Sequence, residues 1–193
     1  MSYWTFDNVF EEFGPPTRFF NSSFGMIGHR GISRPSLHAF TMLHRLGHER
    51  LSCSSGPALA TKRADGSCAV IAWNPSKLTD GRRDGSGADE LAMARATMNS
   101  GEPASVTLKF RGSSGIRNAR VTMVDMLRGS ALPAWEAMGC PPYPTADQVK
   151  KLSDSANLPA AEVRPIVGEQ LSLELPPSGL ALVEIENGGH ARK

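Results

Sequence analysis

Residues 2–12 read SYWTFDNVFEE. Tyr3, Trp4, Thr5 and Phe6 favour strand over helix, because aromatic and β-branched side chains fit a pleated surface. Side chains alternate along a strand, so Trp4 and Phe6 share one face while Tyr3 and Thr5 share the other. Asp7-Asn8 supplies turn chemistry. Glu11 and Glu12 follow, and Gly14-Pro15-Pro16 stops regular structure. The stretch delivers an aromatic ring and two adjacent carboxylates to one place. Two readings stay open at this point. One is an amphipathic edge strand with a solvated Glu pair; the other is a binding loop at the end of a strand.

The next segment bears on that choice. Ser33-Arg34-Pro35 opens a helix, with Pro at its first position, where the missing N–H costs nothing. Leu37, Phe40, Leu43 and Leu46 recur at helical spacing and need an apolar partner. Gly47 is expected to cap the helix C-terminus. Strand, acidic loop and helix follow one another as in the last β/α unit of a (β/α)8 barrel. In such barrels the chemistry lies on loops at the strand C-termini.

At this level the likeness becomes specific. SYWTFDNVFEE, followed by SFGMIGHRGISRPSLHAFTMLHRLG, resembles the final strand, loop and helix of family 39 glycoside hydrolases, the β-xylosidase family. The resemblance continues through TKRADGSCAVIAWNPS, ALPAWEAMGCPPYPTADQVKKL and LELPPSGLALVEI, which are similar to the accessory β-sandwich of that family. It is weakest over residues 78–101. Asn21-Ser22-Ser23 stand where the family usually has small glycines, which puts the shape of that loop in question.

The resemblance implies a mainly β chain. A terminal β/α unit of an incomplete (β/α)8 barrel, residues 1–49, would precede a β-sandwich accessory domain, residues 50–193. It also implies a retaining mechanism acting on O-glycosyl bonds in xylo-oligosaccharides. Such a mechanism needs an acid/base and a nucleophile carboxyl roughly 5–5.5 Å apart. By the resemblance both come from barrel strands upstream of YWTF, so no residue here is expected to be catalytic. Trp4, Glu11 and Glu12 would instead be substrate-binding. Trp4 would form an apolar wall under a sugar ring, and Glu12, with Glu11 beside it, would accept hydrogen bonds from sugar hydroxyls. The chain alone is expected to be inactive. The partners implied are a xyloside or related glycan once the barrel is complete, an upstream barrel chain, and self-association through the open barrel strand. The alternative is a non-catalytic carbohydrate-binding or structural β-sandwich module, although fold analogy alone does not license a glycan-binding label.

Composition excludes little else. The 193 residues hold 21 Lys plus Arg against 19 Asp plus Glu, so no charge excess points to nucleic acid or an anionic membrane surface. No apolar run approaches membrane-spanning length. The N-terminus lacks a basic region followed by an apolar core, so no signal peptide is expected and a cytoplasmic location is the default. Cys53, Cys68 and Cys140 are widely spaced without a CxxC and are expected to be buried free thiols. His38, His44 and His48 have no Cys, Asp or Glu nearby to complete a ligand set, so neither a metal nor another cofactor is expected.

The sandwich expectation rests on the residues themselves. Strand-like runs cover 58–62, 68–73, 104–110, 119–126, 170–175 and 180–185, with Gly- and Pro-rich turns between them. The first two are joined by Arg63-Ala64-Asp65-Gly66-Ser67, a hairpin signal centred on Asp-Gly. Short helices are expected over 133–138, closed by Gly139, and over 146–155. The second opens on Thr145 with Gln148 three residues later, a capping box. Residues 77–101 read as an exposed loop with a helical stretch over 88–98. Trp73 and Trp135 are expected to serve core packing.

Overall fold

The computed structural model describes residues 6–7, 20, 25–54, 56–77, 90–111 and 116–186. The chain is mainly β, with two compact units built from interleaved segments. One comprises Met1–Ala39, Ser76–Ser100 and Val124–Leu158; the other comprises Phe40–Pro75, Gly101–Met123 and Pro159–Lys193.

The second unit holds the sheets. Its strands are β1 (Glu49–Leu51), β2 (Ala58–Lys62), β3 (Cys68–Asn74), β4 (Ala104–Lys109), β5 (Asn118–Val124), β6 (Glu162–Pro165), β7 (Gln170–Leu175) and β8 (Gly179–Ile185). Six of them form one sheet in the order β1-β2-β3-β8-β5-β6, and β4 pairs with β7 in a second. The burial of β7 alternates strictly, with Leu171, Leu173 and Leu175 inward and Gln170, Ser172 and Glu174 outward. That alternation is the period of two expected for a sheet with one wet face. Those leucines meet Val70, Ala72, Val121, Met123, Ala181, Val183 and Ile185 of the larger sheet in one core. Two layers of side chains closing on each other give the sandwich.

The six expected strands of the sandwich are present, and two short ones, β1 and β6, join them at the sheet edges, while Tyr3–Thr5 of the expected N-terminal strand lie outside the described residues. The Asp-Gly hairpin forms as expected: Lys62 pairs with Cys68 and Gly66 adopts φ 81°. The Ser67 hydroxyl and backbone N–H donate to Asp65 and hold its carboxyl below its ordinary value of 3.8. A depressed carboxylate adds stability above its unfolded pKa and loses it as pH falls through the folded one, so this loop loosens only in acid. The run 170–185 is less simple. Its halves are consecutive strands, yet β7 belongs to the small sheet and β8 to the large one. The Pro176–Gly179 turn, with Ser178 at φ 58°, therefore carries the chain between layers.

Ala69, Ile71 and Leu182 point away from the core cluster, yet each is buried. Thr61 and Glu184 lie on the same outer face, since both pair with Ala69. The turn after the first helix is fixed to that face. The Gly47 N–H donates to Thr61 Oγ1 at 2.8 Å, Arg45 pairs with Glu184, and Arg63 reaches Glu184 at 2.5 Å. The helix itself, α1 (Pro35–His44), ends sooner than expected. Gly47 is absent from the positive-φ glycines, so it does not act as a left-handed cap. Its role is close approach: a Cβ there would lie 2.1 Å from the Lys62 carbonyl oxygen.

The first unit contains α2 (Glu90–Met98), α3 (Leu132–Ala137) and α4 (Ala146–Ser155). Gly139 closes α3 at φ 79°. The capping box of α4 is complete: Gln148 N–H donates to Thr145 Oγ1 at 3.3 Å, and Gln148 Oε1 accepts from Thr145 N–H at 2.9 Å. Thr145→Ala is expected to cost about 1 kcal/mol. It should appear as a lowered midpoint for that unit in thermal unfolding followed by circular dichroism, and an unchanged midpoint would refute the role of the cap.

Candidate functional site

The candidate site begins where residues 2–12 meet the segment leading into α1. Trp4, Glu11 and Glu12 lie outside the described residues. Phe6 and Asp7 are described. The Phe6 carbonyl accepts from Ile27 N–H at 3.0 Å, and Asp7 bridges Ile27 in parallel sense. Ile27 in turn bridges Ser33 in antiparallel sense, and Arg34 N–H donates to the Met26 carbonyl at 2.9 Å. The chain thus brings the end of the aromatic stretch beside residues 26–28, turns through a short 3-10 segment at His29–Gly31, and returns into α1. Phe6 and Asp7 and the segment that enters the helix are neighbours in space through Ile27.

This junction is anchored from below. Ile32 is buried with Ala131, Leu152 and Ala156. Phe20 packs on Trp135 with ring centroids 4.9 Å apart and planes inclined at 55°, a tilted pair of the favourable kind. Trp135 Nε1–H donates to the Pro141 carbonyl at 3.1 Å, which satisfies the one polar atom of the indole. His38, buried on α1, donates through Nε2 to the Ala156 carbonyl at 2.6 Å, at the C-cap of α4. That bond uses one of the orphan carbonyls every helix end leaves. His38 is therefore a structural tie.

Other charged groups are committed elsewhere. Asp125 Oδ1 accepts from Leu127 N–H and Arg128 N–H, and its Oδ2 accepts from Arg128 Nε at 2.7 Å. Glu184 is held between Arg45 and Arg63. Asp125, with two bonds on each oxygen, stiffens its loop and has no spare lone pair for a ligand, and Glu184 is neutralised by its two guanidinium partners. Among the described residues no group of three His, Cys, Asp or Glu could hold a metal ion. Cys53 and Cys140 are exposed, contrary to expectation, and Cys68 is half-buried. Each is short of apolar cover because it sits in a loop or, for Cys68, at a strand end. Trp135 packs in a core as expected, whereas Trp73 remains 38% exposed. In sequence Asp7 carries turn chemistry alone; its pairing with Ile27 depends on a contact between segments that no local pattern announces.

With this geometry in place, the comparisons with known proteins are decisive. Residues 1–170 match glycosyl hydrolases family 39. The chain belongs to that family. It is 30% identical over 188 residues to a beta-xylosidase of Geobacillus stearothermophilus, covering 96% of this chain and 33% of that protein. A beta-xylosidase of Caldicellulosiruptor saccharolyticus is 25% identical over 197 residues, covering 97% of this chain and 36% of that protein. The solved structure of a monomeric beta-xylosidase from Caulobacter crescentus CB15 superposes with a TM-score of 0.78 at 25% identity, covering 96% of this chain and 37% of that one. The chain spans about a third of the length of these relatives. Its origin is that of a glycoside hydrolase, as the aromatic stretch and the strands after it imply.

Proposed function

We propose that these residues are the C-terminal portion of a retaining glycoside hydrolase resembling β-xylosidases, acting on O-glycosyl bonds in xylo-oligosaccharides. The observation that carries this reading is the asymmetry of coverage. Nearly all of this chain aligns with the Geobacillus beta-xylosidase, while only 33% of that protein aligns with this chain. Residues 1–49 are the last strand, loop and helix of a (β/α)8 barrel, and residues 50–193 are the accessory β-sandwich. The remaining barrel strands supply the acid/base and the nucleophile.

Within that reading, Trp4, Glu11 and Glu12 belong to the sugar pocket. Trp4 packs an apolar face on sugar C–H groups, and Glu12 accepts from two hydroxyls, with Glu11 close by. Adjacent residues on one loop cannot flank a glycosidic bond from opposite sides, as a retaining pair must. Residues 1–193 alone are therefore expected to show no turnover of an aryl-β-xyloside, read as absence of released phenol above the buffer rate. Turnover by the purified chain that disappears in Glu12→Gln would overturn the assignment.

A further inference from the structure

The larger sheet ends at β6, with no strand beyond it among the described residues. Ile166 N–H donates to the Arg117 carbonyl at 2.8 Å, and the register pairs Arg164 with Ala119 and Glu162 with Val121. In an antiparallel pair hydrogen-bonded positions alternate. Glu162, Arg164 and Ile166 therefore turn their backbone groups toward β5. Val163 and Pro165 occupy the intervening positions and turn theirs toward the open edge. Pro165 has no N–H, so this edge offers the N–H and carbonyl of Val163 and the carbonyl of Pro165. Val163 and Val167 are large apolar side chains left exposed, at 68% and 73%.

We propose that this edge is a self-complementary surface and that its partner is a second copy of this chain, joined by antiparallel β6–β6 pairing about a two-fold axis at Val163. That register is the one the charges on β6 favour. Val163 of each copy exchanges N–H···O bonds with Val163 of the other. The Pro165 carbonyl of each accepts from the N–H of Ala161 in the other; the reciprocal bond is lost because Pro165 has no N–H, which leaves four hydrogen bonds across the pair. The same register sets Glu162 opposite Arg164 of the second copy, and Arg164 opposite its Glu162. Within one chain this carboxylate and guanidinium already pair at 2.8 Å on the face that looks toward Met123. The two-fold axis brings two such pairs together into an alternating square of charge. Opposite charges across a strand pair favour it, and like charges directly opposite disfavour it. Proline and charge on an edge usually discourage pairing. Here the charges select the register, because moving the two-fold axis by one residue would set Glu162 opposite Glu162 or Arg164 opposite Arg164. The contact is short, so the dimer belongs to the weak, transient class of interfaces. This inference is independent of the glycosidase reading.

Sedimentation equilibrium of the full chain tests it. The weight-average mass should rise above the 20.7 kDa of one chain as concentration approaches about 1 mM, in keeping with a weak interface. Arg164→Glu sets Glu162 against a second carboxylate and should return the mass to that of one chain. Adding Glu162→Arg to that variant restores the charge pattern and should restore the rise. Val163→Pro removes the edge N–H without touching charge and should abolish association; it decides the matter if Arg164→Glu fails to fold. A wild-type mass that stays at one chain throughout overturns the proposal. So does association that both Arg164→Glu and Val163→Pro leave intact, which would place the contact elsewhere, as at an open barrel strand.

Discussion

Leu173→Ala is expected to lower the stability of the sheet unit by about 3–4 kcal/mol. Leu173 is 1% exposed at the centre of β7, between Leu171 and Leu175, and faces the larger sheet. The core cluster it belongs to includes Ala72, Ala119 and Ala181, all fully buried, on the strands of the larger sheet. Short side chains in rigid strands cannot lean in to refill the space, so most of the cavity would persist. Interior packing at crystal-like density makes such a void costly. A loss of this size is a large share of the 5–15 kcal/mol typical of a whole domain. Urea denaturation followed by tryptophan fluorescence should show the midpoint moving down with little change in slope. A shift corresponding to under about 1 kcal/mol would mean that the small sheet does not close on the large one.

Gly47→Ala is expected to be nearly as damaging, at about 3 kcal/mol. Most glycine substitutions are argued from φ, but this one is argued from space. The added methyl would meet the carbonyl carbon and oxygen of Lys62 at 2.3 and 2.1 Å and the amide nitrogen of Arg63 at 2.7 Å. All three atoms are backbone and belong to the hairpin that carries β2 into β3. Relief requires residues 45–47 to lift from the sheet. That movement breaks the bond from Gly47 N–H to Thr61 and strains the pairing of Arg45 with Glu184. The same assay applies, with Gly56→Ala as the contrast. Gly56 has open space around its missing Cβ, and its strain comes only from φ 86°. If Gly47→Ala costs less than Gly56→Ala, the close approach is not what fixes the glycine.

Much of the fold was legible in local chemistry. The capping box at Thr145 and Gln148, the Asp65-Gly66 hairpin and the alternation of Leu171, Leu173 and Leu175 need only neighbours a few residues away, and each appears as read. What was not legible depends on distant partners. β1 and β6 are three and four residues long with charged side chains, too short and too polar to carry a strand pattern of their own. They exist because β2 and β5 offer an edge to pair with. The step of β7 and β8 into different sheets has no local signature either, because Pro176–Gly179 reads the same whether it closes a hairpin or joins two layers. In sequence Gly47 looks like a helix cap, because glycine after an apolar helix face usually is one. Its contact with Lys62 is set by tertiary approach.

The candidate site divides the same way. The aromatic stretch and its carboxylates were readable as residue types, and their family likeness is borne out by the match over residues 1–170. The meeting of Phe6 and Asp7 with Ile27, and the seat of Ile32 and Phe20 on α3 and α4, come from packing between segments about 100 residues apart or more in the second case. Sequence pattern carries no record of such pairings. The role proposed for Glu12 rests on what a carboxylate on that loop would do inside a barrel.

The most direct measurement therefore tests the proposed sugar pocket within a complete barrel. Residues 1–193 would be joined behind the barrel portion of a family 39 beta-xylosidase that carries its own glutamate pair, and kcat/KM for an aryl-β-xyloside would be compared with that of Glu12→Gln in the same chain. Loss of a charged acceptor to sugar hydroxyls is expected to lower kcat/KM about 10- to 100-fold, the equivalent of one or two charge-assisted hydrogen bonds. An active joined chain in which Glu12→Gln leaves kcat/KM unchanged would contradict the account, because the acidic loop would then lie outside the sugar pocket.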